Sequence, residues 1–337
     1  MNKAKWIWLP TKENTDEYGE FLAPFHLDSK KGVKLTIACD GFYEVFVNGK
    51  LALFFQCADY PQYKYYDEKD ISAYCVKGEN EVRIVVWHLG ETNFSYYGDD
   101  AGVCFEITQG DSVLFVSDKS TLSRRMTEYK NGYCKTITSQ LGYSFYYDNT
   151  EKDTTVYATS VETGKVYELH KRPIKHLILG KRPKIKVQKT ENSWLVDMGK
   201  EIAGFIDLEF TSEKDQLVTI AYGEHLDDGC VRRLVGGRDF SFEIYAKAGK
   251  NTFSNYLRRF AGRYLEIFAD APIKIKYAGL RPVFYPLTEK KVKFKNPVQR
   301  KIYDTCIYTL RCCMHEHYED CPWREQGLYI LDYTTEI

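Results

Sequence analysis

Near the end of the chain three carboxylates, Asp320, Glu325 and Asp332, share a short run with Arg324 and the rings of Trp323 and Tyr329. The run reads Tyr318-Glu319-Asp320-Cys321-Pro322-Trp323-Arg324-Glu325-Gln326, then Gly327-Leu328-Tyr329-Ile330-Leu331-Asp332. Acid–base work at a glycosidic bond requires a carboxyl group that stays protonated near neutral pH. Neighbouring carboxylates and apolar rings both raise a carboxyl pKa. The residue types suit that chemistry, and they equally suit a solvated loop after a helix. Cys321, beside Pro322 and near Arg324, has the makings of a nucleophile, but the sequence places no base for it. His315 and His317 stand two apart on a helix and point to different faces, so they do not share a metal, and His225 has no partner ligand in the sequence. The ten cysteines form no CxxC and no zinc spacing with histidine. Buried thiols are therefore expected, with no metal and no cofactor.

The elements that must position this run are legible upstream. Asn296 is an N-cap and Pro297 a first helical residue, and Val298, Ile302, Cys306, Leu310, Cys313 and His317 recur every three to four residues. This predicts one amphipathic helix over 297–317, stopped by Pro322. Before Pro286 the pattern has strand period. Val45, Val47 and Leu51 flank Asn48-Gly49, which predicts a type I′ hairpin from Tyr43 to Phe55, and Lys77-Gly78-Glu79-Asn80 predicts a turn before a strand Glu81 to Trp87. A second β-rich block runs from Trp194 to Tyr285. Between the blocks, 171–189 carries eight Lys or Arg and no acidic residue, broken by Pro173, Gly180 and Pro183. It reads as a linker, since the neutral chain and the lack of a recognition motif weigh against a nucleic-acid patch.

The expected fold class is mostly β: two β-sandwich (jelly-roll-like) domains, 1–180 and 190–286, followed by a helical segment, 287–337. The 337 residues balance 47 Lys and Arg against 47 Asp and Glu, which argues against nucleic acid or an anionic membrane as partner. With no signal peptide and no long apolar run, a cytoplasmic protein is expected. Aromatic residues reach 15%. The groups Tyr63, Tyr65, Tyr66 and Tyr143, Phe145, Tyr146, Tyr147 are candidates for a sugar platform, although alternating rings in strands more commonly divide between core and interface.

Asp320 through Gln326, followed by an aromatic residue and an aspartate, resembles the signature of bacterial α-L-rhamnosidases of glycoside hydrolase family 78. The resemblance continues upstream in Asp197-Met198-Gly199-Lys200-Glu201 with Ala203-Gly204, in Tyr222-Gly223-Glu224 and in Arg263-Tyr264-Leu265. Val47-Asn48-Gly49 and Gly78-Glu79-Asn80 look like the family's first sandwich. It implies hydrolysis of terminal α-L-rhamnose with inversion on an (α/α)6 barrel, and a rhamnose-containing saccharide or glycoside as partner. By motif position Glu325 matches the general acid, and Asp320, Arg324 and Asp332 match residues that bind rhamnose hydroxyls. Tyr329 stands where many members have tryptophan, as a wall for the sugar, and Gly327-Leu328-Tyr329-Ile330-Leu331-Asp332 departs from the more usual GWTGD. Twelve helices need about 140 residues, and 51 (287–337) follow Pro286. The expectation is therefore a truncated chain holding the first helix of an incomplete barrel. Its catalytic base would lie in the missing C-terminal part, and Glu325 would sit in a mobile, exposed tail. The alternative is a non-catalytic carbohydrate-binding or scaffold protein of two β-sandwiches.

Overall fold

The computed structural model describes residues 1–331 apart from 2, 12–14, 56, 133 and 152–155. The chain divides into two compact units, Met1–Thr136 with Gly142–Pro173, and Ile137–Leu141 with Ile174–Ile337. Both are built from strands. The expected Asp332 lies outside the described residues.

The first unit is a sandwich. One sheet runs Val161–Glu162, Ile7–Trp8, Val103–Gln109, Val33–Cys39, Tyr63–Asp70 and Glu168–Lys171, the last pair parallel. The other runs Ala158–Thr159, Leu122–Arg125, Glu17–Leu27, Gly78–His88, Phe42–Val47 and Lys50–Phe54. Alternate residues point inward from both sheets. Leu35, Ile37, Phe105 and Ile107 meet Phe21, Phe25, Val82, Ile84 and Val86 in one core cluster. Each such fully buried side chain is worth about 1.5–3 kcal/mol. The Asn48-Gly49 hairpin forms as expected, with φ of 49° and 76° at the turn and Val47 opposite Lys50. The strand expected from Glu81 starts earlier, at Gly78. The Asn80 side chain turns back to bond the Val76 and Gly78 carbonyls, so the turn completes its hydrogen bonds while the ladder has already begun.

A charged cluster is buried in this unit. The fully buried Lys64 ammonium donates to Asp40 at 2.8 Å and to Asp59 at 3.2 Å, and Asp40 also bonds His88 at 2.8 Å. Burial opposes the lysine charge, but Asp40 and Asp59 outweigh it and raise its pKa. Burial likewise pushes the Asp59 carboxyl up to about 6.

In the second unit one antiparallel sheet is ordered Ser241–Ala246, Gln216–Gly223, Phe260–Ala269, Trp194–Ser212, Ile273–Phe284 and Ile178–Leu179. The 19-residue strand Trp194–Ser212 organises it by changing partners. Its first part pairs with Phe260–Ala269 and Lys186–Lys189, its second with Ile273–Phe284 and Gly249–Ser254. The pairing with Phe260–Ala269 shifts register at a bulge between Asp197 and Ile202 and runs on to Gly204, where Ile273–Phe284 takes over. At Gly204 the two partners meet so closely that a Cβ would lie 1.9 Å from the Arg281 carbonyl oxygen, and only glycine fits. The segment read as a linker in fact carries two short edge strands, Ile178–Leu179 and Lys186–Lys189. Its polarity hid them: Lys186–Lys189 is exposed on both faces, as suits an edge strand protected by lysine.

The helix Pro297–Cys313 starts at Asn296, whose Oδ1 accepts from the Val298 N–H at 2.8 Å. No helix among the described residues is long and apolar enough to cross a membrane.

Lys64→Met should lower stability by about 3–5 kcal/mol, because Asp40 and Asp59 then stay buried without their cation. Urea unfolding with an unchanged m value is the measurement, and a loss below about 1 kcal/mol would refute this account of the cluster.

Candidate functional site

The helix stops four residues short of the expected 317 because its end is claimed by tertiary bonds. Met314 adopts extended geometry, and the Glu319 N–H returns to the Cys313 carbonyl at 2.8 Å. His315 is buried and bonds Glu319 Oε1 and the Val283 carbonyl, each at 3.2 Å. Its pKa is lowered, by burial above all. Glu319 is also buried and is paired with Arg259, at the head of Phe260–Ala269. Burial opposes the Glu319 charge, but Arg259 and His315 prevail and lower its pKa.

Asp320 to Gly327 then form a closed loop. The Asp320 N–H donates to the Gly327 carbonyl, and Asp320 Oδ1 accepts from the Gly327 N–H, both at 2.9 Å. Asp320 Oδ2 accepts from the Cys321 thiol at 3.0 Å. The loop bends at Gln326, φ 54°, whose side-chain amide donates to the Pro322 carbonyl and whose own carbonyl meets His317 Nε2 at 2.9 Å. Trp323 plugs the loop into the unit. It is 2% exposed, with its ring 4.5 Å from Phe240 and 5.9 Å from His225. A Cβ at Gly223 would stand 3.3 Å from the indole, so the glycine of Tyr222-Gly223-Glu224 makes room for the tryptophan. The other upstream motifs also have structural reasons. Arg263 grips Asp197 through two bonds of 2.9 Å, and Gly199, φ 82°, forms the bulge of the long strand.

This scaffold holds Glu325 against the unit. The side chain is 23% exposed, so it is not the exposed tail expected: Tyr329 donates to its Oε2 at 2.7 Å and the Gln140 amide to the same oxygen at 3.1 Å. Gln140 lies on Ile137–Leu141, a five-residue excursion that belongs to the second unit. The excursion is anchored by buried Ile137 and Leu141, and the Leu141 carbonyl accepts from Arg258 at 3.2 Å. Arg238 follows the Gly236-Gly237 turn of the hairpin Leu234–Val235 with Arg238–Asp239. Its Nη2 donates to Gln140 Oε1 at 2.6 Å and lies 3.5 Å from Glu325 Oε1.

Of the residues singled out in sequence, Glu325 and Tyr329 meet directly, Asp320 closes the loop, and Arg324 projects to solvent. Gln140 and Arg238 were missed, and no local pattern marks either. Two further carboxyls were also passed over. Burial first, and the Glu224 carboxylate second, push the Glu201 carboxyl up to about 8. Glu224 is raised by burial, against the opposing pull of Arg324. Of the candidate sugar platforms, Tyr143, Phe145 and Tyr147 are buried, whereas Tyr60 and Tyr97 near Tyr63 are exposed. Among the described residues no group of three or more His, Cys, Asp or Glu is arranged to hold a metal.

Residues 187–276 match the family model of the bacterial alpha-L-rhamnosidase concanavalin-like domain. No curated protein sequence matches the chain. The fold aligns with the glycoside hydrolase family 78 rhamnosidase of Bacillus sp. GL1 at TM-score 0.86 and 15% identity, over 99% of this chain and 60% of that one. It aligns with the α-L-rhamnosidase of Aspergillus terreus at 0.75 and 18%, over 97% and 41%. For the Streptomyces avermitilis α-L-rhamnosidase, solved in complex with L-rhamnose, the values are 0.73 and 14%, over 93% and 33%. The chain thus spans 60% or less of the length of these structures, and carries a rhamnosidase-type domain within a shared mostly-β fold.

Folding favours the protonated form of Glu201, so its contribution is complete below about pH 4.5 and is lost as pH rises to about 8. Glu201→Gln should match the parent chain near pH 4.5 and exceed it by about 1–3 kcal/mol at pH 9. Thermal melts across this range measure it, and a pH-independent difference would contradict the shift.

Proposed function

We propose that the chain is part of a glycoside hydrolase that removes terminal α-L-rhamnose with inversion, and that Glu325 protonates the leaving oxygen. The observation that carries this reading is that Glu325 is held half-buried by the second unit. Arg238, within the matched domain 187–276, stands 3.5 Å from its carboxyl. An inverting mechanism also needs a second carboxylate about 6.5–9.5 Å from the acid to activate water. We assign that base to the part of the rhamnosidase fold beyond the span this chain covers, with Pro297–Cys313 as the first helix of the barrel that supplies it. Arg324, exposed beside the acid, and Asp332 are proposed to bind rhamnose hydroxyls. Asp320 is proposed to do so as well as closing the loop, with Tyr329 flanking the sugar.

A second reading concerns the first unit, as a weak binder of neutral saccharides. Its support is a surface cluster of rings: Tyr60 lies 4.9 Å from Tyr97 and 5.7 Å from Tyr63, and Tyr63 lies 5.2 Å from His170. Tyr60 and Tyr97 are 43% and 50% exposed, and such rings pack well against the apolar face of a pyranose.

In the complete gene product, Glu325→Gln should slow hydrolysis of natural rhamnosides by about 100- to 10,000-fold. Aryl rhamnosides with acidic leaving groups should suffer less, because they depart with little protonation. Steady-state kinetics on both substrates is the test, and undiminished cleavage of a natural rhamnoside would overturn the acid assignment. For the second reading, NMR titration with L-rhamnose should shift the signals of Tyr60, Tyr63 and Tyr97 at tens of millimolar, and the absence of any shift there removes it.

A further inference from the structure

We infer that Gln140, oriented by Arg238, is a positioning residue that determines which oxygen of Glu325 carries the transferable proton. The inference rests on the assignment of Glu325 as general acid. A guanidinium can only donate, so the 2.6 Å bond from Arg238 Nη2 fixes the carbonyl end of the Gln140 amide toward the arginine. The NH2 end must then face Glu325 and Tyr329, where it lies 3.1 Å from Glu325 Oε2 and 3.3 Å from the Tyr329 hydroxyl. Tyr329 donates to the same Oε2 at 2.7 Å.

Oε2 thus receives two donors and has no lone pair left to hold a proton for transfer. Oε1 faces only Arg238 among these groups, at 3.5 Å. Whenever Glu325 carries a proton, these donors place it on Oε1, in one orientation and not as a mixture of two. Interposing a neutral amide also matters. Arg238 Nη2 also makes a long 3.5 Å bond to Glu325 Oε1, but its shorter 2.6 Å bond goes to Gln140, so the arginine acts on Glu325 chiefly through the direction of the amide. The side chains reach this point from separate elements: the Ile137–Leu141 excursion, the Gly236-Gly237 hairpin and the loop after the helix.

The test uses the complete gene product with a natural rhamnoside and an aryl rhamnoside bearing an acidic leaving group. Gln140→Leu, and the isosteric Gln140→Glu, which removes the donor and keeps the volume, should lower kcat on the natural substrate by about 10- to 100-fold. On the activated substrate the loss should be less than about 3-fold, since proton delivery matters little there. Arg238→Met should behave like Gln140→Leu, and Arg238→Lys, which can still donate to the amide carbonyl, should recover most of the loss. Equal losses on both substrates in the soluble Gln140→Glu variant would show a general structural role and overturn the inference, as would no loss on either. If Glu325→Gln itself leaves natural rhamnosides cleaved at the parent rate, the acid assignment falls first and the positioning role with it. A normal Glu325→Gln defect with unaffected Gln140 variants overturns the positioning role alone.

Discussion

One buried charge pair, Arg259 with Glu319, decides where the helix ends and where the loop after it begins. Helix Pro297–Cys313 has only Cys312 and Cys313 buried among its own residues, so its apolar stripe does little to hold it in place. Glu319 supplies the fixed point, with Arg259 on one side and His315 on the other. Such a pair is weak evidence of stability, since desolvating both ions offsets most of their attraction. Arg259 Nε and Nη1 and Glu319 Oε2 also have no hydrogen-bond partner among the described residues. What the pair confers is position. With Glu319 fixed, Asp320 starts its closed loop at a set point on the second unit, and the reach of Glu325 is set from there.

Packing completes what the ion pair begins. Trp323 enters beside Phe240 and over Gly223, so a large ring and a missing side chain are two halves of one fit. The backbone of Gly223 is itself approached closely, for a Cβ on Gly262 would come within 2.8 Å of its carbonyl oxygen. Gly204 and Gly262 therefore let strands approach at distances no other residue allows, and Gly223 leaves the loop's tryptophan a tight fit. The runs of residue types that resemble a rhamnosidase are, on this view, largely rules for bringing backbones together beneath the Glu325 carboxyl.

The parts legible in the sequence are those whose cause is local. Asn48-Gly49 demands positive φ at two successive residues, and Asn296-Pro297 supplies a cap and a preset helical φ, so both elements stand where residue type alone puts them. The helix end was misplaced because His317 keeps the helical period while its ring is committed to the Gln326 carbonyl and the chain has already turned back at Glu319. The edge strand Lys186–Lys189 was hidden because a strand exposed on both faces has no alternation to read. Glu325 and Tyr329 could be singled out from a motif, whereas Gln140 and Arg238 owe their place to tertiary proximity. A solitary glutamine in a turn-rich segment carries no periodic or compositional mark.

The Ile137–Leu141 excursion has a consequence for how the molecule can be assembled or cut. Gln140 is separated from Glu325 by 185 positions, so the amide leaves the ribosome long before the carboxyl it bonds, and this contact closes only after both stretches have been made. A fragment begun at the main boundary, Ile174, would keep the helix, the tryptophan plug and the whole signature from Asp320 to Gln326, yet it would lack the amide. Dissection by linear sequence and dissection by compact unit are therefore different operations on this protein. Only the second keeps the Glu325 carboxyl with its neighbours.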